Sequence, residues 1–152
     1  MRPEPQDPEF RARVTTSFSR QAFMETIGAS LELVEPGEVH IALPFSKQLA
    51  QQHGYLHAGA TTAIADSANG YAALTLAPPE AEVLAVDFKT NLMAPASAPR
   101  FVARGRGPYA SSSPFCLPCR SRRLKRCGSG GDRDQAVDDQ HQTKWSAGLT
   151  RA

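Results

Sequence analysis

The sequence predicts one α+β domain over residues 1–107, and three patterns in the chain support this. Apolar residues recur at helical spacing over 8–27, which predicts an amphipathic helix. Apolar and polar residues alternate over 31–45 on both sides of Pro36-Gly37, as in a β-hairpin with one buried face. An alanine-rich apolar segment over 57–77 predicts a second helix, and this order of elements is typical of α+β proteins.

The first helix has recognisable ends, because Pro8 suits a first helical turn and Gly28 suits a helix end. Its predicted apolar face consists of Phe10, Val14, Phe18, Ala22, Phe23 and Ile27. Beyond the second helix, alternation predicts a strand over 84–92 and another over 100–106. The small side chains of the second helix let other backbone elements approach closely, so we expect a sheet to cover it.

The second helix carries the first candidate site residue. Residues 57–77 include eight alanines and one formally charged side chain, Asp66, so the helix has no solvent-facing stripe and should be buried on nearly all sides. Burying a carboxylate costs several kcal/mol unless it is paired, hydrogen-bonded or beside a cleft. Asp66 is therefore a candidate catalytic acid, or else it bonds a nearby hydroxyl or backbone group and fixes the packing.

The start of this helix supplies further candidates. The first amides of a helix lack intrahelical partners and lie at the positive end of the helix dipole. The N–H groups of Ala58, Gly59 and Ala60 are thus placed to bind a carbonyl oxygen that gains negative charge. His57, just before them, either orients a substrate or water, or caps the helix.

Residues 51–96 resemble the central motif of the hotdog-fold acyl-CoA thioesterases of the phenylacetate-pathway (PaaI-like) type. That motif has an amide residue, a His followed by two small residues, and an acid nine residues after the His. Gln51, His57, the pair Ala58-Gly59 and Asp66 match it in this order. The likeness extends over roughly residues 10–107 and implies a hotdog fold, an antiparallel sheet wrapped around a central buried helix.

The resemblance also implies an activity, the hydrolysis of an acyl-CoA or aryl-acyl-CoA, with the CoA thioester as substrate and no cofactor. The amides of Ala58 and Gly59 are expected to polarise the thioester carbonyl, and Gln51 and His57 to orient the thioester and water. Asp66 of the opposing subunit is expected to act as general base or nucleophile. The expected assembly is a homodimer or a dimer of dimers.

Two positions depart from the family pattern. Ala58 replaces the first Gly after the His, which costs little if a backbone amide performs the role. Ala85 stands where some relatives have a hydroxyl residue that holds the attacking water, so this chain lacks that donor.

Charge and hydropathy exclude some other classes of protein. The net charge of +2 indicates no particular partner, and we expect neither nucleic acid nor membrane to bind. The apolar segment 57–77 is too polar for a membrane span, and residues 1–7 do not resemble a secretion signal. The expected location is the cytoplasm.

Residues 108–152 differ in character from the rest. They hold eight Lys and Arg against four acids, whereas residues 1–107 hold nine against eleven, and they show no strand-like alternation. The resemblance implies two more long strands here, which we predict to be missing or altered. Without them the chain could be a non-catalytic acyl-CoA-binding or defective hotdog protein, and this is the alternative function.

Three interpretations of this tail remain open. Three cysteines and a histidine could bind zinc, although their spacing matches no standard zinc motif. The basic run over 120–126 could bind nucleic acid or acidic lipid, although it lacks interleaved aromatic residues. The interpretation that we favour is a change of reading frame near Gly107, which leaves unselected and largely disordered sequence. The candidate zinc ligands are Cys116, Cys119, Cys127 and His141.

Overall fold

The structure is a computed structural model that describes residues 4–85 and 89–107 and the backbone of residues 148–151. It confirms the α+β class, with an antiparallel sheet packed on a central helix. The helices are α1 (Phe10–Ser19), α2 (Ala22–Ile27) and α3 (Ala58–Leu74), and a 3-10 turn spans Lys47–Leu49. The strands are β1 (Ser30–Glu35), β2 (Glu38–Pro44), β3 (Arg100–Arg106) and β4 (Gly148–Arg151).

The predicted helix over 8–27 is divided into α1 and α2, because the backbone of Gln21 is extended between them. The side-chain amide of Gln21 donates a hydrogen bond to the Tyr71 hydroxyl of α3 at 2.9 Å, which holds the break in place. The break rotates the apolar face of the second half. Met24 is therefore buried, whereas Phe23, which the spacing predicted to be buried, is 56% exposed.

The sheet has the strand order β1-β2-β3-β4, and all of its neighbours are antiparallel. The predicted hairpin is confirmed as β1 and β2, and Gly37 in its turn has a φ of 76°, which glycine adopts without strain. No strand was expected in the tail, yet β4 pairs with β3 over four residues. Residues 108–147 lie outside the described residues, so the predicted change of frame stays a prediction.

The predicted strand over 84–92 is not found in its described residues. Residues 84, 85 and 89–92 are in no strand, residues 86–88 lie outside the described part, and Leu84 and Leu92 are 75% and 60% exposed. Alternation indicates which face of a strand is apolar, but a strand also requires a neighbour to complete its hydrogen bonds. Residues 90–97 instead line a cleft beside α3, and the Ala96 carbonyl accepts a bond from the Leu56 N–H of the loop before the helix at 3.0 Å.

The central helix is buried against the sheet as predicted, and Ile64, Ala68 and Ala72 have no exposed surface. The sheet and α3 are in close contact at Gly105 of β3. A Cβ atom at this position would lie 2.1 Å from the backbone carbonyl of Ala68, so the contact is between two backbones. No helix in the described residues has the length and hydropathy required to cross a bilayer.

An arginine joins the N-terminal segment to the far end of α3. The Arg13 guanidinium donates to the Asp7 carboxylate and the Pro78 carbonyl, both at 2.8 Å, and to the Leu74 carbonyl at 3.1 Å. A cation beside the C-terminal carbonyls of a helix is favourable because the helix dipole is negative there. These contacts fix the C-terminal end of α3, whereas His57 and Ala58 lie at its N-terminal end.

Candidate active site

The loop before α3 is a closed turn centred on Gln51. The Gln51 N–H donates to the Tyr55 carbonyl at 2.8 Å, and the Gly54 N–H donates to the Gln51 carbonyl at 2.9 Å. The Gln51 side-chain carbonyl also accepts a hydrogen bond from the His53 N–H. This carbonyl therefore stabilises its own loop, so the side-chain NH₂ group of Gln51 is the part that remains to contact a substrate.

His57 caps α3, which confirms one of the two roles predicted for it. Its Nδ1 atom accepts a hydrogen bond from the Gly59 N–H at 2.9 Å. An imidazole nitrogen that accepts a bond carries no proton, so neutral His57 has its proton on Nε2, and this side chain is exposed. The same ring that closes the cap can thus donate a hydrogen bond from its other nitrogen.

The three amides at the start of α3 are not equally available. The prediction of three free donors is wrong for two of them, because the Gly59 N–H is bonded to the His57 ring and the Ala60 N–H to the His57 carbonyl at 3.0 Å. The Ala58 N–H has no acceptor among the described residues. It is the donor that is ready for an oxyanion, and the Gly59 N–H becomes a second one only if the His57 ring moves away.

Asp66 lies in the middle of α3 and is partly buried. Its carboxylate has neither an ion pair nor a hydrogen bond within residues 4–85 and 89–107, so the described residues do not support the alternative that it fixes the packing. Burial raises the pKa of Asp66 above its ordinary value of 3.8, because desolvation disfavours the charged form. An unpaired carboxylate with a raised pKa is suited to accept a proton.

A cleft of about 590 Å³ lies beside the start of α3. Gln51 and Ala58 line it, whereas His57, Gly59 and Asp66 are not among its lining residues. The rise of α3 places Asp66 about 12 Å from Ala58 along the helix axis. Within one subunit, the structure therefore brings Gln51 and the Ala58 amide together but keeps Asp66 away from them.

Several cleft residues were not predicted from the sequence. Thr62 and Ala65 follow Ala58 at helical spacing, so the wall that α3 contributes could have been predicted from periodicity. The opposite wall could not, because it comes from residues 90–97, which were assigned to a strand or the turn after it. Ala85, the position that lacks the relatives' hydroxyl, is exposed and does not line the cleft.

The described part of the chain contains no group of three His, Cys, Asp or Glu side chains that could hold a metal ion. The candidate zinc ligands in the tail and the basic run over 120–126 lie outside the described residues, so both interpretations stay untested.

Comparison with known proteins identifies the family. Residues 53–113 match the thioesterase superfamily. A thioesterase family protein from Silicibacter pomeroyi is 45% identical, with a TM-score of 0.62 over 62% of this chain and 70% of that one. A variant of the phenylacetic acid degradation protein PaaI from Thermus thermophilus is 30% identical, with a TM-score of 0.50 over 55% of this chain and 70% of that one.

A third structure supports the fold alone. The PaaI protein from the E. coli phenylacetic acid degradation operon is 16% identical, with a TM-score of 0.57 over 65% of this chain and 70% of that one. The comparison with curated proteins gave no match. The fold is that of a hotdog-fold thioesterase. The chain belongs to the thioesterase superfamily, in its PaaI-like group, and the reaction of the superfamily is thioester hydrolysis.

Gly59 offers a test of the helix start. We expect Gly59→Val to lower kcat/KM for thioester hydrolysis by about 10²-fold or more, because its side chain would block the approach of the thioester carbonyl to the Ala58 N–H, which costs about as much as losing an oxyanion donor. Gly59→Ala should lower it less, although its Cβ would lie 3.0 Å from Nδ1 of His57 and the ring must shift. Steady-state kinetics on one acyl-CoA measures both. Small and equal effects would show that the carbonyl binds elsewhere.

Proposed function

We propose that this protein hydrolyses the thioester of an acyl-CoA or aryl-acyl-CoA to the free acid and CoA. The observation that carries the proposal is the Ala58 amide beside a cleft, combined with the carboxylate of Asp66 on the same helix, both of them without a partner among the described residues. The first group can stabilise an oxyanion and the second can activate water, which are the two requirements of acyl transfer to water. The proposed reaction uses no cofactor. We propose the cytoplasm as the location of the protein.

In the proposed reaction, the Ala58 N–H binds the thioester carbonyl oxygen while Gln51 and His57 orient the thioester and the water. As general base, Asp66 takes a proton from water as the hydroxyl adds to the carbonyl carbon. The tetrahedral oxyanion then collapses, the carbon–sulfur bond breaks, and the CoA thiolate leaves and takes up a proton. As nucleophile, Asp66 would first attack the carbonyl carbon and break the carbon–sulfur bond, which releases the CoA thiolate and leaves an acyl anhydride. Water then cleaves the anhydride to the free acid and the regenerated carboxylate.

The two parts of this site come from different subunits in our proposal. Along one α3, Ala58 and Asp66 are about 12 Å apart, too far for both to reach one thioester carbon. Two antiparallel copies of α3 in a homodimer would place the Asp66 of one subunit near the Ala58 of the other. A dimer of dimers would contain the same pair twice.

Complementation between inactive variants tests this arrangement. We expect His57→Ala and Asp66→Ala to be nearly inactive alone, and a mixture that exchanges subunits to recover up to one intact site per mixed dimer. Thiol release measures the recovery, and mass-tagged subunits measure the exchange. A mixture with proven exchange and no recovered activity would contradict the shared site. Full activity of His57→Ala or Asp66→Ala alone would show that the substituted residue is not required.

The alternative function, acyl-CoA binding without hydrolysis, is favoured by the tail. Within the part of the chain that the structure describes, β4 has only four residues and follows a segment without strand alternation. A thiol-release assay on a panel of acyl-CoAs, together with binding measurements, distinguishes the two functions. Acyl-CoA binding without thiol release supports the alternative. If thiol release appears only after residues 108–152 are replaced by the C-terminus of a family member, the tail is the cause of the defect.

A further inference from the structure

The cleft beside α3 has a mouth and a floor that differ in burial. At the mouth, Tyr55 is 39% exposed and Gln51 is partly exposed, and both belong to the loop before the helix. At the floor, Ala65 of α3 and Phe101 of β3 are 6% and 5% exposed. The cleft therefore leads from the surface, past the Ala58 amide, towards the hydrophobic core.

The wall opposite α3 exposes apolar side chains to this cleft. Leu92 and Met93 line it, and they are 60% and 90% exposed. Burying such side chains against an apolar ligand is favourable in proportion to the area removed from water. The ligand part that fits between this wall and the core is thus an apolar group rather than a charged one.

Ala65 occupies a particular place in this geometry. It is the last residue of α3 that lines the cleft, seven residues and about 10 Å beyond Ala58. Because it is an alanine, only a methyl group stands between the helix backbone and the cleft. A larger side chain at this position would fill the floor without touching Gln51 or the Ala58 amide at the mouth.

We propose that Ala65 sets the length of the acyl group that this protein accepts. The apolar acyl group lies along α3 from the Ala58 amide towards Ala65, and the Ala65 methyl group limits how far it reaches. Ala65 is thus a specificity-determining residue that contacts the far end of the acyl group and takes no part in the chemistry. This inference rests on the proposed function for the identity of the ligand.

The experiment measures binding against chain length in the full-length protein. The probes are non-hydrolysable thioether analogues of saturated acyl-CoAs from two to twelve carbons, so binding is read without turnover. For the parent we expect each added methylene to strengthen binding about fourfold until a limiting length is reached. For Ala65→Leu the limit should come about two carbons earlier, which weakens the longest accepted probe about 10- to 20-fold and leaves the shortest unchanged.

Ala63→Leu is the matched control, since Ala63 lies on the same helix, is partly buried and does not line the cleft. Its chain-length profile should equal that of the parent. Ala65→Val is made in parallel, because its smaller volume keeps the fold if leucine overpacks the core, and it should move the limit by about one carbon. Thermal unfolding identifies the folded variants.

The outcomes separate this inference from the proposed function. A folded Ala65 variant with an unshifted profile, or with the same loss at every length, overturns the inference, and so does a parent that binds none of the probes. If the parent binds the probes up to a limiting length, Ala65→Leu shortens that limit, and the parent releases no thiol from any acyl-CoA, the hydrolytic function is overturned but the role of Ala65 is supported.

Discussion

We expect Asp66→Asn to lower kcat for thioester hydrolysis by about 10²–10⁴-fold, the usual contribution of a general base. Asparagine has nearly the same shape as aspartate, so binding of the CoA ester should change little. The described residues offer Asp66 neither a hydrogen-bond donor nor a cation, so its carboxylate has no structural role that the change would remove. Steady-state turnover and binding of a thioether analogue measure the two effects separately.

The pH dependence gives a second readout of the same substitution. The carboxylate form is the one that accepts a proton or attacks the thioester, and burial raises the pKa of Asp66. The hydrolysis rate should therefore fall as the pH falls through this raised pKa, at a higher pH than an ordinary aspartate would give. The residual rate of Asp66→Asn should lack this acid limb, and a limb that persists in the variant would assign the titration to another group.

Asp66→Asn should raise the stability of the protein although it lowers the activity. Because its pKa is higher in the folded state than in the unfolded state, Asp66 binds its proton more tightly when folded, and its charged form destabilises the protein above the folded pKa. Asp66→Asn should thus raise the unfolding temperature at neutral pH. The gain should shrink as the pH falls through the folded pKa and vanish below the unfolded one. Near-parental turnover of Asp66→Asn would contradict the catalytic role of Asp66. A lower unfolding temperature of this variant at neutral pH would contradict the destabilising effect of the charged carboxylate.

The parts of the fold that could be predicted are those that local pattern determines. The alanine-rich run around Asp66 predicts a buried helix, and the turn at Pro36-Gly37 predicts the hairpin, because each depends on neighbouring residues alone. The break between α1 and α2 could not be predicted, since it is held by the bond from Gln21 to Tyr71, fifty residues away. The prediction of a strand over 84–92 was wrong for a related reason. Alternation is a local pattern, and it does not determine whether a neighbouring strand is present to complete the hydrogen bonds.

The candidate site shows the same division. Gln51, His57 and Asp66 stand out in the sequence through their residue types and spacing. The cap that His57 forms is also local and was one of the two roles predicted for this residue, but its effect was not: the bond to the Gly59 N–H lowers the number of amides that are free. The cleft could not be predicted, because its walls come from the loop before α3, from α3 itself, from residues 90–97 and from Phe101.

We expect Gly105→Ala to destabilise the protein by about 3 kcal/mol or more, although it adds a single methyl group far from the candidate site. The new Cβ would lie 2.1 Å from the Ala68 carbonyl and 2.6 Å from the Asn69 amide nitrogen, both of which are backbone atoms of the central helix. Backbone inside a packed helix cannot move aside as a flexible side chain can, so β3 must separate from α3. Overpacking of this kind typically costs 1–3 kcal/mol and occasionally more. The unfolding temperature should fall by about 10 °C or more.

Gly70→Ala is the matched control for this prediction. Gly70 lies in α3 itself, and a Cβ there would meet nothing within 4 Å in the described structure. Alanine is the better helix former, so this change should stabilise the protein by about 0.5–1 kcal/mol. Thermal and chemical unfolding of both variants measure the contrast. If Gly105→Ala unfolds at the parental temperature while Gly70→Ala behaves as expected, the backbone contact between β3 and α3 is not as close as the structure has it. The position of Phe101, the residue of β3 that lines the cleft, would then also be in error.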